Sequence, residues 1–234
     1  HGLITSSSFA EASATSASAK VELGGDSTGS LDAEVKASSG AYAGSVGIAT
    51  GLGDDDVDNG GTVDVDASTL TVSVGAALDF KKAKASDKPE TPKGFGSSVV
   101  IADAKTLSIA QGEGISAGGG DDAATNGGDV SVDSVAGATS ASLSISLKDV
   151  AFLDVGVAFA DASTSARSQA LGMNGGEGAD DLENLSGATV HAGAVTIAGA
   201  NAGSIQAQGD SEGGLVAGGA LALSSTTESA VVEE

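Results

Sequence analysis

Three runs of glycine followed by aspartate are the residues of this sequence best suited to chemistry. Residues 175–183 fit the nonapeptide GGxGxDxUx without a mismatch, residues 118–122 form a relaxed copy, and residues 53–56 form a third version. Glycines let main-chain carbonyls crowd toward one point, and aspartates add negative charge. An oxygen-only set of this kind suits a calcium ion. The alternative is a solvated acidic turn in which Asn or Asp caps its own backbone.

The composition limits what else the chain does. The formal net charge is −22, and Lys and Arg total only ten, which argues against nucleic-acid binding because phosphate contacts need clustered basic residues. Much of the apolar content is alanine, so we expect a thin core of small side chains between sheets. The longest apolar run, 213–223, is too short and too glycine-rich for a membrane-spanning helix, so we expect no membrane insertion.

The apolar pattern predicts an all-β fold. Apolar residues alternate with polar ones from Leu31 to Ala37, at Val63 and Val65, from Leu70 to Val74 and from Leu143 to Leu147. A period of two is typical of strands and not of helices. Residues 151–160 are the densest apolar stretch, and we expect the thickest part of the core there. Glycine-rich turns are predicted near 24–26, 51–61, 112–128 and 172–187.

Internal repetition is the strongest organisational signal. Asn126 and Asn184 lie 58 residues apart, whereas Asn59 and Asn126 lie 67 apart, and the longer interval contains residues 81–96. That segment holds both prolines and half of the basic residues, so we interpret it as an inserted, exposed loop. The sequence therefore predicts one repeat array over 1–234 with a unit of about 58 residues, folded as an elongated parallel β-helix or β-solenoid similar to a β-roll.

The acidic turns resemble those of a known family. At 175–183 the chain is similar to the repeats-in-toxin calcium-binding proteins, and the whole unit looks like the tandem repeats of large bacterial surface proteins and adhesins. In the toxin-type family consecutive nonapeptides form a parallel β-roll that holds calcium between successive turns, which implies ligands at Gly175, Gly176, Gly178 and Asp180. The remaining candidate ligands in the three turns are Asp181, Gly118, Gly120, Asp121, Asp122, Asp54, Asp55 and Asp56.

The coil size decides whether these turns meet. Two turns share a calcium ion only if they stack about 4.8 Å apart. If one coil holds roughly 20 residues, motifs 58 residues apart lie three coils away from each other. If one coil holds the whole unit, the turns stack directly. The sequence leaves both arrangements open.

Catalysis has little support in the sequence. His191 stands alone in a strand pattern and His1 is terminal, so neither a His-based metal site nor a Ser-His-Asp triad is indicated. Adjacent aspartates in a glycine loop are more often ligands or solvated groups than acid–base pairs. We therefore expect a protein that is not an enzyme.

Three functions remain open on the sequence. The first is a structural, extracellular segment or filament subunit of a bacterial surface fibre or adhesin, rigidified by calcium, that associates with itself or with neighbouring repeats of a longer chain. The second is an adhesive module that contacts its target through the 81–96 loop. The third and weakest is a β-helix enzyme acting on polysaccharides, because its groove would need more basic residues than this chain has.

Overall fold

A computed structural model describes residues 2–23, 31–82, 96–149, 154–208 and 216–233. The described residues form eleven strands. They are β1 (Leu3–Leu23), β2 (Leu31–Leu52), β3 (Asp56–Asn59), β4 (Thr62–Lys82), β5 (Gly96–Gly119), β6 (Ala123–Asn126), β7 (Asp129–Asp149), β8 (Asp154–Asn174), β9 (Asp181–Asn184), β10 (Thr189–Gln208) and β11 (Val216–Glu233). No helix in the described part of the chain is long and apolar enough to cross a membrane.

All strands pair in parallel, in three sheets. Sheet A has the order β1-β4-β7-β10, sheet B has β11-β8-β5-β2, and the small sheet C has β3-β6-β9. Every third strand along the chain therefore lies in the same sheet, which is the arrangement of a parallel β-solenoid. The predicted all-β, parallel fold class is confirmed.

One coil holds a whole repeat. The chain runs along sheet A, returns along sheet B, turns through the glycine–aspartate segment into sheet C, and reaches the next coil. The backbone of Asp122 bonds the side chain of Asp180, 58 residues on, and the backbone of Asp55 bonds the side chain of Asp122, 67 residues on. The structure thus selects the larger of the two coil sizes that the sequence left open.

The predicted turns differ in detail from the structure. Strand β5 runs on to Gly119 and β8 to Asn174, so all of 112–119 and residues 172–174 are extended and not part of a turn. Each of the three later turns also contains a four-residue strand of sheet C. The turn near 24–26 lies outside the described residues, and so do residues 83–95 of the inserted loop.

The interior between sheets A and B is thin, as the composition predicts. Near the acidic turns, valines of sheet A such as Val63 and Val130 are fully buried. A side chain at Gly47 or Gly114 of sheet B would collide with them, which shows how tightly the valines fill the space.

Farther along the strands the interior is built from alanine and hydroxyl side chains. Thr69 Oγ1 lies 2.6 Å from Ser108 Oγ, and Ser140 Oγ lies 2.7 Å from Thr164 Oγ1, across the gap between the sheets. Ser144 donates to the carbonyl of Val100 at 2.9 Å. Direct bonds between such short side chains require closely spaced sheets. Other buried hydroxyls, such as those of Ser134 and Ser146, have no hydrogen-bond partner among the described residues.

Within the stretch 151–160, the larger apolar side chains that the structure describes lie on the outer face, contrary to expectation. Among residues 157–160, the part of this stretch whose side chains the structure describes, Ala158 and Ala160 are buried, whereas Val157 is 40% exposed and Phe159 is partly exposed. The prediction that the core is thickest there is wrong for the described positions. Density of apolar residues does not say which face points inward, and here the alternation turns Ala158 and Ala160 toward the interior.

Candidate functional site: the stacked glycine–aspartate turns

The three glycine–aspartate turns stack directly on one another at one end of the long sheets. Gly53 N donates to the carbonyl of Gly119 at 2.7 Å, and Gly120 N donates to the carbonyl of Glu177 at 2.9 Å. Strands β3, β6 and β9 follow the turns and continue the stack in register, with Asp56 beside Ala123 and Ala123 beside Asp181. The structure therefore brings all three predicted sites into one column.

The glycines make this stacking possible. Gly53, Gly120 and Gly178 have φ values of 120°, 141° and 144°, a region that residues with a side chain rarely adopt. A Cβ atom on Gly120 would lie 2.2 Å from the carbonyl oxygen of Gly53. Gly118 and Gly176 form a second column with the same property, and a Cβ atom on Gly176 would lie 1.7 Å from the oxygen of Gly118.

The aspartates bond the backbone of neighbouring coils. Asp54 Oδ1 accepts from the N–H of Asp121 at 3.0 Å, and Asp121 Oδ1 accepts from Ala179 N–H at 3.1 Å. A second series runs in the opposite direction, since Asp122 Oδ1 accepts from Asp55 N–H at 2.7 Å and Asp180 Oδ1 accepts from Asp122 N–H at 3.1 Å. These carboxylates thus fasten each turn to the next.

Among the aspartates of the turns, Asp122 is the most deeply buried. It is only 2% exposed, and its Oδ2 has no hydrogen-bond partner among the residues that the structure describes. A buried carboxylate with a free oxygen is costly unless a cation compensates it. Asp54, Asp56, Asp121 and Asp181 are exposed by contrast.

The column of turns fits a calcium ion only in part. Its oxygen-only chemistry suits a hard cation, and Asp122 Oδ2 is a ligand oxygen that no hydrogen bond within the described residues occupies. The described part of the chain nevertheless contains no group of three or more His, Cys, Asp or Glu side chains placed to hold a metal ion. The carbonyls of Gly118, Gly119 and Glu177 each accept a hydrogen bond from an adjacent coil. Calcium at this column remains a prediction.

A column of asparagines next to the turns was not recognised as an interaction from the sequence. Asn59 Nδ2 donates to Asn126 Oδ1 at 2.7 Å, and Asn126 Nδ2 donates to Asn184 Oδ1 at 2.8 Å. Asn126 is fully buried and Asn59 is 5% exposed. The sequence signal for this column was that the asparagines and the acidic turns recur at the same spacing. Equal spacing places each asparagine at the same position in its coil, so the asparagines stack as the turns do.

The other singled-out residues lie apart from this column. His191 is exposed on β10 and belongs to sheet A. Tyr42 is 61% exposed on β2, and its hydroxyl lies 3.2 Å from Gln111 Oε1. Most of the 81–96 loop, the predicted adhesive contact, lies outside the described residues.

Searches against protein-family models, curated proteins and solved structures found no match for this chain. The resemblance to calcium-binding surface repeats therefore rests on the residues quoted above.

Proposed function

We propose that this chain is a structural segment of a bacterial surface fibre or adhesin, a rigid extracellular spacer whose end coils continue onto further coils. The observation that carries the proposal is the pair of open sheet ends. Strands β1, β2 and β3 form one edge of the three sheets, and β10, β11 and β9 form the other. Because all pairing is parallel, the two edges have the same strand directions and match each other.

The columns that cross the coils reach both ends. The asparagine column begins at Asn59 in the first coil and ends at the exposed Asn184 in the third. Asn184 Nδ2 is 3.4 Å from the carbonyl of Ala188, a weak contact beside the 2.8 Å bond that Asn126 makes. An incoming asparagine would extend the column, as further strands would extend the sheets. The occupant of each end is another copy of the chain or the neighbouring repeat of a longer chain.

Calcium is the second part of the proposal. The net charge of −22 works against stacking acidic turns on each other, and a divalent cation beside Asp122 lowers that repulsion. The residues that would hold it are Asp122 and its neighbours in the column, Asp54, Asp55, Asp121 and Asp180. Neutralising this negative charge favours both folding and end-to-end growth.

Proline at an outward-facing edge amide tests the end-to-end association. Thr62 N donates to Gly2 O and Thr189 N donates to Gly128 O, so alternation along parallel strands directs the amides of Ser7 and Thr196 to the free edges. Ser7→Pro and Thr196→Pro remove an edge donor and leave the internal ladder intact.

Sedimentation velocity and electron microscopy supply the readout, with circular dichroism as the check on folding. We expect the unmodified chain to form stacks that lengthen with concentration and added salt, and the proline variants to stay short with an unchanged β spectrum. A chain that never associates, or proline variants that stack equally well, would refute the proposal.

A further inference from the structure

The outer face of sheet A carries a continuous patch of exposed apolar side chains. Its exposed fractions run from 36% at Val135 to 63% at Ile197. We call it the outer patch, and its members are Leu70, Val74, Val135, Leu143, Val195, Ile197 and Ile205.

The patch faces away from a polar interior, which reverses the usual order. Along the same stretch the inward positions hold hydroxyl residues such as Thr71, Ser73 and Ser144, all fully buried. The narrow gap between the sheets explains the small residues inside. It does not explain leucine and isoleucine outside, where serine and threonine would keep the strand and stay hydrated. Contiguous exposed apolar surface of this kind marks an interaction site.

The strand register makes the patch a compact surface. Leu70, Gly137 and Ile197 lie in one row, and Ile145 and Ile205 lie in another. From Val135 to Ile145 the surface is about 33 Å long, and the three strands that carry it (β4, β7 and β10) are about 14 Å wide, so the patch covers roughly 460 Å². Two such patches together bury roughly 900 Å², which is the size of the small interfaces that weak, reversible complexes form.

Charge on the patch favours a second copy of this chain as the partner. The outward positions of β4 from Ser68 to Leu78, and their partners on β7 and β10, include no acidic or basic residue. The acidic side chains of this face, such as Asp64, Asp66 and Asp133, lie toward the turn end, and Glu11 lies on the rim strand β1. Two copies packed face to face with their strands antiparallel place these acidic ends at opposite ends of the shared patch.

The outer face of sheet B, unlike the patch on sheet A, carries charged side chains. Lys36 Nζ lies 2.6 Å from Glu34 Oε1, and Lys105 Nζ lies 3.1 Å from Asp103 Oδ2. The hydrogen bond and charge of Glu34 raise the pKa of Lys36 above its ordinary value. Charged pairs would have to lose water if this face were covered, so sheet B is the face that stays in solvent.

We propose that the outer face of sheet A is a lateral interface, on which a second copy of the chain packs face to face with antiparallel strands. This association is separate from end-to-end stacking. It doubles the thickness of the solenoid to four layers, and the paired unit still has its open ends.

Matched variants on the two faces test the lateral interface. Leu143→Asp places a charge in the patch, and Leu107→Asp does the same on sheet B at a similar exposure, 40% against 46%. Both are made in the Ser7→Pro background to remove stacking, because Ser7 lies outside the patch whereas Thr196 lies between Val195 and Ile197. Circular dichroism confirms that each variant keeps its β spectrum, and sedimentation equilibrium gives the association constant.

We expect the Ser7→Pro chain and its Leu107→Asp variant to form pairs that tighten with added salt, and Leu143→Asp to weaken pairing at least about tenfold. Equal weakening by both variants, or a chain that stays single over about a hundredfold range of concentration, would overturn the proposal. Binding to neutral phosphatidylcholine vesicles would also overturn the proposal if the unpaired chain binds them and only Leu143→Asp abolishes that binding. The patch would then be a lipid-binding surface. If pairing persists while the proline variants fail to block stacking, only the end-to-end proposal is lost.

Discussion

Asn59 and Asn126, separated by 67 positions in the sequence, are joined side chain to side chain by a hydrogen bond of 2.7 Å in the interior. Asn126 repeats the bond to Asn184 of the following coil at 2.8 Å. Each asparagine amide is both donor and acceptor, so a column of them satisfies itself across layers. The column therefore fixes the register of one coil on the next, and in that register each coil contains one complete repeat.

Removing the middle asparagine should destabilise the fold. Asn126→Ala leaves the buried amide of Asn59 without its acceptor and deletes the bond to Asn184. We expect a loss of about 2–4 kcal/mol in the free energy of unfolding, measured by urea denaturation. The control is Asn201→Ala at an exposed position of β10, which should change stability by less than about 0.5 kcal/mol. Equal effects of the two substitutions would show that the column contributes nothing specific.

A pair of glycine substitutions should isolate the cost of coil stacking. Gly53 and Gly120 have similar positive φ values, but a Cβ on Gly53 meets nothing within 4 Å whereas one on Gly120 meets the Gly53 carbonyl. Gly53→Ala should cost about 1–2 kcal/mol for its backbone conformation alone. Gly120→Ala should cost at least about 2 kcal/mol more, because the turns must separate. Thermal unfolding of both variants gives the comparison, and indistinguishable losses would mean that the turns do not stack as described.

The hydroxyl pair between the sheets should behave as a coupled unit. Thr69→Val alone leaves the buried Ser108 hydroxyl without its 2.6 Å partner, and we expect a loss of about 1–2 kcal/mol. Adding Ser108→Ala should recover most of that loss, since both polar groups are then gone. Thr15→Val on the exposed face of β1 is the control and should be nearly neutral. A double-mutant cycle measures the coupling, and simple additivity of the two changes would contradict direct bonding.

Calcium should act through Asp122 if the proposed site is present. Calcium that binds only the folded chain raises its unfolding temperature, and the effect grows with concentration above the dissociation constant. Asp122→Asn should remove most of this response and, without calcium, leave stability unchanged or higher because a buried charge is gone. Asp66→Asn removes an exposed charge on sheet A and should respond as the original chain does.

Differential scanning calorimetry with calcium, magnesium and chelator makes that measurement. A chain whose unfolding temperature ignores calcium, or an Asp122→Asn variant that responds fully, would leave the aspartates as inter-coil hydrogen-bond acceptors alone. The structural role of the turns does not depend on that outcome.

Much of the fold follows from short-range sequence signals. The alternation around Val63 and Val65 gives strands, and the equal spacing of Asn126, Asn184 and the acidic turns gives a repeat. Alternation does not reveal coil size, because a short coil and a coil of one whole repeat contain the same period of two. Only the pairing of β4 with β7 and of β5 with β8 decides it.

Side-chain direction and site geometry were harder to predict. Alternation separates Leu70 from Thr71 but does not say which of them faces the neighbouring sheet; the narrow gap selects Thr71. Likewise, glycine and aspartate in one turn indicate a cation site, whereas the role of Asp121 as acceptor for Ala179 N–H depends on the turn of the next coil.

The length of an unbroken strand tests the central claim most directly. Glu34 and Val46 lie on the exposed side of β2. Because the chain has no cysteine of its own, the double variant Glu34→Cys, Val46→Cys attaches spin labels at these two positions alone. With the whole repeat in one coil, their backbones are about 40 Å apart, as twelve residues of extended strand require. Double electron–electron resonance should give one narrow distance near that value. A distance below roughly 20 Å would mean that the chain turns within this stretch, and the coil of one whole repeat would be wrong.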